Sequence, residues 1–278
     1  MHSLALEAAL ERSAEDYLNN FGSKHMVITA QERYDFEPTE EDLCLVDSSM
    51  QQVIQNFYEV ELATEWFWDL LGYTPSARNK TVKKVIDKWR SEEIVHGELL
   101  APYAGKSSAA LGEADLLSKV TERLTKGYRF TSRVGALASN LCADHFIAAH
   151  MFIGAVNEMT TRLGYSLLAE KAQSTRLRKM LHKIMVQESV HTASYLKLGS
   201  CLINSCKKCD YAANFILQWF FQPVGLGINS LSETERLINY LTDNDSCKLE
   251  TIYAKTQNYL SKKTVQTITD RFENFFKS

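Results

Sequence analysis

Two short stretches of the sequence place a glutamate and a histidine three residues apart, Glu93 with His96 and Glu188 with His191. Residues with this spacing on an α-helix lie on one face, so each pair can direct a carboxylate and an imidazole at a common point. These two groups are common ligands of transition metals. One Glu-x-x-His pair arises often by chance, but two pairs in one chain suggest a shared metal site.

Each pair also has a further glutamate about thirty residues upstream, on the helix predicted to precede it. Glu61 comes 32 residues before Glu93, and Glu158 comes 30 residues before Glu188. With a rise of about 1.5 Å per residue and a turn between the two helices, each hairpin brings its two glutamates to similar heights. Glu59 and Glu65 are close alternatives to Glu61, and the sequence leaves the choice among them open.

Long helices are the elements that must position these residues. Hydrophobic residues recur with helical periodicity over segments 4–21, 42–71, 79–103, 113–126, 132–171, 174–206, 212–221, 232–242 and 249–275. Only 4 prolines interrupt the 278 residues, and no strand-like alternation or linker is present. The sequence predicts an all-α protein in which residues 1–278 form one domain, and the glutamate and histidine spacing described above favours a ferritin-like four-helix bundle core with additional helices.

Four of these helices would direct six side chains into one interior, namely Glu61, Glu93, His96, Glu158, Glu188 and His191. One Glu from each of two helices, with Glu-x-x-His from each of two others, is the carboxylate-bridged di-iron arrangement of ferritin-like bundles. Four carboxylates are costly to bury together unless cations neutralise them. We therefore expect two iron ions, Fe²⁺ or Fe³⁺, with O2 as the co-substrate.

The residues around the first pair also resemble a known family. Residues Trp89 to Leu100 read W-R-S-E-E-I-V-H-G-E-L-L, which is similar to the W-x-x-E-E-x-x-H-G-x-L-L stretch of the soluble acyl-acyl-carrier-protein desaturases. Glu158 with Thr161 resembles that family's third-ligand segment, and the resemblance extends over residues 61–195. Gln187 departs from it, because the family has an Asp there that orients a ligand histidine. An amide can still accept an imidazole N–H, but it adds no negative charge.

The resemblance implies an oxidoreductase of fatty acid metabolism that removes two hydrogens from an acyl chain. In that family the chain is attached to acyl carrier protein, electrons come from a ferredoxin-type donor, and the enzymes are commonly homodimers. Thr161 matches a hydroxyl beside the metals that assists oxygen activation, so it is the catalytic candidate. The basic run 171–179, which includes Arg176 and Arg178, is a candidate contact for an acidic partner.

Other functions stay open on the sequence alone. The same six ligands would serve another ferritin-like di-iron oxygenase, either a hydroxylase or an N-oxygenase, or a non-enzymatic iron-binding protein. Cys201, Cys206 and Cys209, together with Cys247, have the spacing of a plant-type iron–sulfur site. Their position near a helix end favours buried thiols instead.

Composition excludes several classes of protein. The 31 Lys and Arg against 34 Asp and Glu give a formal charge of −3, which fits poorly with a main role in binding nucleic-acid phosphates. No run of about 18 apolar residues is present, so we expect no membrane span. The N-terminal residues lack the pattern of a secretory or transit peptide, and the 6 cysteines are sparse, so we expect a cytoplasmic protein with reduced thiols.

Overall fold

A computed structural model describes residues 2–21, 27–106, 126–205 and 228–243, together with a few isolated positions between these ranges. Within them the chain is α-helical and contains no β-strand, which confirms the predicted all-α class. The helices are α1 (His2–Glu15), α2 (Ala30–Phe36), α3 (Glu40–Cys44), α4 (Ser48–Leu62), α5 (Thr64–Leu71), α6 (Pro75–Arg78), α7 (Lys80–Leu100), α8 (Lys126–Ala138), α9 (Ala143–Lys171), α10 (Thr175–Ser205) and α11 (Leu231–Thr242). The ferritin-like bundle and the single domain stay predictions.

Several helix boundaries differ from those expected. The segment 42–71 is divided, because α4 begins after Asp47, whose carboxylate accepts the N–H of Met50, and Ala63 separates α4 from α5. The segment 132–171 is divided by a 3-10 turn, Ser139–Cys142. A π-helix, Asp16–Phe21, continues α1. Most residues of the expected helices 113–126, 212–221 and 249–275 lie outside the described residues.

Two helical hairpins carry the predicted site. Helix α4 packs on α7, α9 packs along the length of α10, and α7 contacts α10. Helix α1 covers α10 and α7, while α11 packs on α4 and α9. Helix α7 begins after its N-cap residue Asn79, whose side-chain oxygen accepts the N–H groups of Thr81 and Val82, so the start of the helix and hence the height of Glu93 are fixed locally.

The hydrophobic core consists of two clusters, and the predicted ligands lie between them. One cluster contains Leu168 of α9 and Leu181 of α10, with residues of α4, α5 and the end of α7. The other contains Met151 and Leu198, from the opposite halves of α9 and α10, with residues of α1 and the beginning of α7. Because the same long helices contribute to both clusters, the polar residues between them are held on both sides by close-packed apolar side chains.

None of the helices in the described ranges has the length and apolar character needed to cross a membrane.

Candidate metal site

The structure brings together all six residues predicted as ligands. Each is buried, and the most exposed of them is 6% accessible. Their donor atoms form two overlapping groups, within each of which the atoms lie at most 4.8 Å from one another. The first group, the His96 half-site, consists of Glu61, Glu93, His96 and Glu188; the second, the His191 half-site, consists of Glu93, Glu158, Glu188 and His191.

Two carboxylates belong to both half-sites, and each divides its oxygens between them. Glu93 places Oε2 3.3 Å from Nδ1 of His96 and Oε1 2.9 Å from Nδ1 of His191. Glu188 places Oε1 3.3 Å from Nδ1 of His96 and Oε2 3.3 Å from Nδ1 of His191. The imidazole rings lie 6.0 Å apart between centroids. Each half-site has the donor atoms to hold one metal ion, and Glu93 and Glu188 offer an oxygen to both.

Some buried polar atoms of the two half-sites are better suited to contact a cation than to lie in an apolar interior. Among the described residues, the buried atoms Glu93 Oε1, His96 Nδ1 and Glu188 Oε1 make no well-aligned hydrogen bond, although they have charged neighbours at 2.9 to 3.3 Å. Buried polar atoms are almost always paired, so three in one cluster require an explanation. Carboxylate oxygens and an imidazole nitrogen that point at one space are a suitable donor set for a transition metal.

Each imidazole is oriented from behind by a residue of the opposite hairpin. Nε2 of His96 lies 2.8 Å from Oε1 of Gln187, and Nε2 of His191 lies 2.9 Å from Oε2 of Glu92. Both acceptors precede the Glu of the other Glu-x-x-His pair. An acceptor at Nε2 holds the proton there and leaves the Nδ1 lone pair directed at the half-site, which is what a histidine ligand requires.

The two glutamates that belong to only one half-site are held by aromatic side chains. Tyr165 donates a hydrogen bond from its hydroxyl to Oε1 of Glu61, and its ring stacks on Phe57 with centroids 4.6 Å apart. Trp89 donates from Nε1 to Oε1 of Glu158 at 3.0 Å. Each of these glutamates therefore keeps its other oxygen for the half-site.

A chain of polar contacts leads from the His191 half-site toward the surface. Oε2 of Glu92 accepts the hydroxyl of Tyr17 at 2.9 Å, and Oε1 lies 2.8 Å from Nζ of Lys88, whose side chain is 31% exposed. Burial alone would raise the pKa of Glu92, but His191 and Lys88 outweigh burial and lower it to about 2. Glu92 is thus a carboxylate at neutral pH and belongs to the surroundings of the site, not to the open surface.

The pKa shifts show how the site balances its charge with protons. Burial and the neighbouring Glu93 and Glu188 raise the pKa of Glu61, and the same causes raise that of Glu158. Burial would lower the pKa of His96, but the carboxylates of Glu93 and Glu188 outweigh it and raise the pKa to about 10. Protons on these groups offset the charges that two divalent cations would otherwise neutralise.

The structure distinguishes Glu61 from its two rivals. Glu59 accepts a hydrogen bond from Nε2 of Gln55, and Glu65 forms a two-bond ion pair with Arg90 at 2.9 and 2.7 Å. Only Glu61 of the three joins the cluster. Helix α4, which carries Glu61, lies close to α7 at Gly97, because glycine has no Cβ. A Cβ at this position would lie 3.2 Å from Leu62, which leaves little room for a larger residue.

A cavity of about 430 Å³ opens beside the cluster, within the usual size range of small-molecule sites. Among its lining residues are the ligands Glu61, Glu93 and Glu158, and Thr161, the predicted catalytic residue. The α9 side consists of residues with the spacing of one helix face, namely His150, Ile153, Gly154, Asn157, Glu158 and Thr161. The other side is largely apolar and includes Val60, Phe67, Leu70, Leu71, Tyr128 and Ile228.

Two other features predicted from the sequence, the basic run and the cysteines, are not part of the cluster in the described residues. In the basic run 171–179, Arg176 pairs with Asp42 at 2.9 Å and donates to the backbone carbonyls of Asp35 and Glu37, so its charge ties α10 to the segment around α3. Cys201 lies on α10, with Sγ 3.3 Å from the hydroxyl of Ser13. The remaining cysteines of the iron–sulfur spacing, 206, 209 and 247, lie outside the described residues.

Sequence reasoning missed Tyr165 and Tyr17 as neighbours of the site. Tyr165 follows Glu158 by seven residues and so shares its helix face, a signal that was available in the sequence. Tyr17 contacts a residue 75 positions away, and no local spacing indicates that contact.

No family model matches this sequence, and comparison with curated proteins and with solved structures found no match either.

Proposed function

We propose that the protein is a di-iron oxidoreductase that uses O2 to desaturate a fatty acyl chain carried on acyl carrier protein. The observation that carries the proposal is the pair of half-sites that share Glu93 and Glu188 and border a cavity with an apolar wall. Bound iron would supply the electrons for reducing dioxygen and the oxidising power for removing hydrogen from the chain. Overall, O2, two hydrogens of the substrate, two donor electrons and two protons give a double bond and two waters.

The residues of the chain have defined parts in this proposal. Glu61 and Glu158 complete the two half-sites, and their aromatic partners hold each carboxylate in one orientation. The apolar wall would hold the acyl chain and exclude water. Thr161 lies on the same face of α9 as Glu158 and lines the cavity, where its hydroxyl would deliver a proton during oxygen reduction.

The charge of the cavity lining supports a neutral substrate. Glu61, Glu93 and Glu158 line it, whereas no Lys or Arg is among the described lining residues. Bound iron would neutralise those glutamates, but a free fatty acid would find no cationic side chain among the described lining residues to pair with its carboxylate, at a considerable cost in desolvation. A thioester removes that charge. The acyl carrier protein, the ferredoxin-type donor and a homodimeric state enter the proposal from the resemblance of the stretch Trp89–Leu100.

The test begins with metal content and ends with products. Metal-free protein is reconstituted anaerobically with Fe²⁺ and desalted, and we expect about two iron ions per chain. It is then supplied with acyl carrier proteins bearing chains of several lengths, a reduced ferredoxin and O2. Mass spectrometry of the released acyl groups should show products that have lost two hydrogens. Iron well below one ion per chain in the wild type would refute the proposal.

Matched variants separate the site from general effects of charge removal. Glu158→Gln should lower iron content and abolish turnover, because it removes a charge from the His191 half-site. Glu98→Gln removes the same charge from α7, where Glu98 pairs with Arg33 at the surface, and should behave as the wild type. Equal iron content in the two variants would contradict the assignment of Glu158.

The polar part of the cavity favours a second candidate, an oxygenase that hydroxylates or N-oxygenates a substrate with hydrogen-bonding groups. Nδ1 of His150 lies 2.8 Å from the hydroxyl of Ser76, and burial lowers the pKa of His150 to about 4, so this imidazole is neutral. Asn157, on the same helix face, has an unpartnered buried oxygen. Products that gain one oxygen, from substrates with amine or hydroxyl groups, would favour this candidate over desaturation.

A further inference from the structure

We infer that the two half-sites bind their cations with unequal affinity, the His191 half-site first, and that Glu92 and Gln187 are the positioning residues that set the difference. The inference rests on the proposed binding of two metal ions. The chain thereby distinguishes two positions that are otherwise built alike.

The two half-sites match in the types of their directly facing groups, although Glu61 lies 4.0 Å from Nδ1 of His96 and Glu158 lies 3.4 Å from Nδ1 of His191. Both contain Glu93 and Glu188, which divide their oxygens between the two histidines at 2.9 to 3.3 Å. Each half-site adds one further glutamate, and each of these accepts a hydrogen bond from a neutral aromatic donor, Tyr165 or Trp89. Each also adds one imidazole that faces the carboxylates through Nδ1. These groups by themselves give no strong preference between the half-sites.

The acceptors behind the two imidazoles break this equivalence. Nε2 of His191 faces a carboxylate oxygen of Glu92 at 2.9 Å, whereas Nε2 of His96 faces the amide oxygen of Gln187 at 2.8 Å. The contact distances are nearly the same, so the difference is one of charge and not of reach. A carboxylate behind an imidazole makes Nδ1 a stronger donor to a cation than a neutral amide does.

Lys88 does not cancel this difference. It contacts Oε1 of Glu92, while Oε2 faces His191. The side chain of Lys88 is 31% exposed, whereas those of His191 and Glu92 are 0% and 11% exposed, so water screens the charge of Lys88 more than it screens the contact to His191. Glu92 therefore acts on His191 as a local negative charge, and the first cation is expected among Glu93, Glu158, Glu188 and His191.

The experiment is a titration of metal-free full-length protein with Co²⁺ in the absence of O2. Binding is monitored by calorimetry and by the visible absorption of bound cobalt. We expect two steps whose dissociation constants differ by roughly 10- to 100-fold, the range typical for changes in such outer partners of a ligand. A crystal grown with one equivalent of Co²⁺ should show anomalous density beside Glu158 and His191. Neither readout depends on turnover.

Two substitutions should change the dissociation constants of the two Co²⁺ binding steps in different ways. Gln187→Glu gives His96 a carboxylate partner and should tighten the weaker step about tenfold, bringing the two together. Glu92→Gln should weaken the tighter step by a similar factor. Glu98→Gln, which removes a surface charge from the same helix as Glu92, should change neither step. If Gln187→Glu fails to fold, Glu92→Gln still tests the inference, because it buries no new charge.

The results separate this inference from the proposed function. Two Co²⁺ ions bound with equal affinity, or an unchanged titration in Glu92→Gln, would overturn the inference and leave the di-metal site standing. A first ion located beside Glu61 and His96 would also overturn it. Absence of Co²⁺ and Fe²⁺ binding in the wild type would overturn the proposed function itself.

Discussion

Replacing Gly154 with alanine tests how closely α9 and α10 pack beside the site. A Cβ at this position would lie 2.6, 2.7 and 2.9 Å from three ring carbons of Tyr195. That ring is 2% exposed and packs edge-on against Trp89 and His150, with centroids 6.3 and 6.2 Å away. Ordinary contact begins near 3.4 Å, so the ring or the helix must move by about 0.8 Å.

The magnitude follows from two opposing effects. Overpacking a core of this kind costs about 1–3 kcal/mol, while alanine in a helix interior gains about 0.5–1 kcal/mol over glycine. We expect Gly154→Ala to lose about 0.5–2 kcal/mol of unfolding free energy, a fall in Tm of roughly 2–6 °C. Differential scanning calorimetry of the metal-free protein measures both quantities.

Gly135 provides the matched control. It lies within α8 and is exposed, and a Cβ there meets no atom within 4 Å. Gly135→Ala should therefore gain about 0.5–1 kcal/mol through helix propensity alone. The two substitutions are chemically identical but should change the unfolding free energy in opposite directions. A Gly154→Ala protein as stable as the wild type would refute the close packing of Tyr195 on α9.

Two further outcomes follow from the buried charges. Arg90→Leu leaves Glu65 buried without its two-bond partner and should cost about 3 kcal/mol of unfolding free energy, measured by urea unfolding. The double variant with Glu65→Leu should recover most of this loss, and equal losses in the two variants would contradict this account. In metal-free protein, Glu93 and Glu188 raise the pKa of His96 from 6.5 to about 10. The charged imidazole therefore stabilises the folded state fully below about pH 6.5, and this stabilisation is lost as the pH rises through 10. The Tm of metal-free protein should therefore fall by several degrees between pH 7 and 10, while that of metal-loaded protein, whose imidazoles are already neutral, should not show this fall.

Much of the candidate site could be predicted from the sequence because helical geometry is local. The three-residue spacing of Glu93 and His96 fixes a common face wherever the helix lies. The interval of 30 residues between Glu158 and Glu188 fixes similar heights once a turn lies near its midpoint, and the turn at residues 172–174 is where the structure has it. The choice of Glu61 needed the structure, because Glu59 and Glu65 differ from it mainly in which partner reaches them.

The helix breaks were harder to predict for a related reason. Ala63 separates α4 from α5 although alanine favours helices, so hydrophobic periodicity alone gives no sign of the boundary. Packing against neighbouring helices, which a single sequence does not display, overrides such local preferences.

The sequence by itself determined the types of the candidate ligands, their pairing on helix faces and the all-α class, because these depend on contacts within one or two helical turns. The tertiary structure alone decided that Gln187 stands behind His96 and Glu92 behind His191, since those contacts cross 91 and 99 residues. Residues so far apart in the chain meet only when two hairpins pack face to face, and that packing is what makes the two halves of the site unequal.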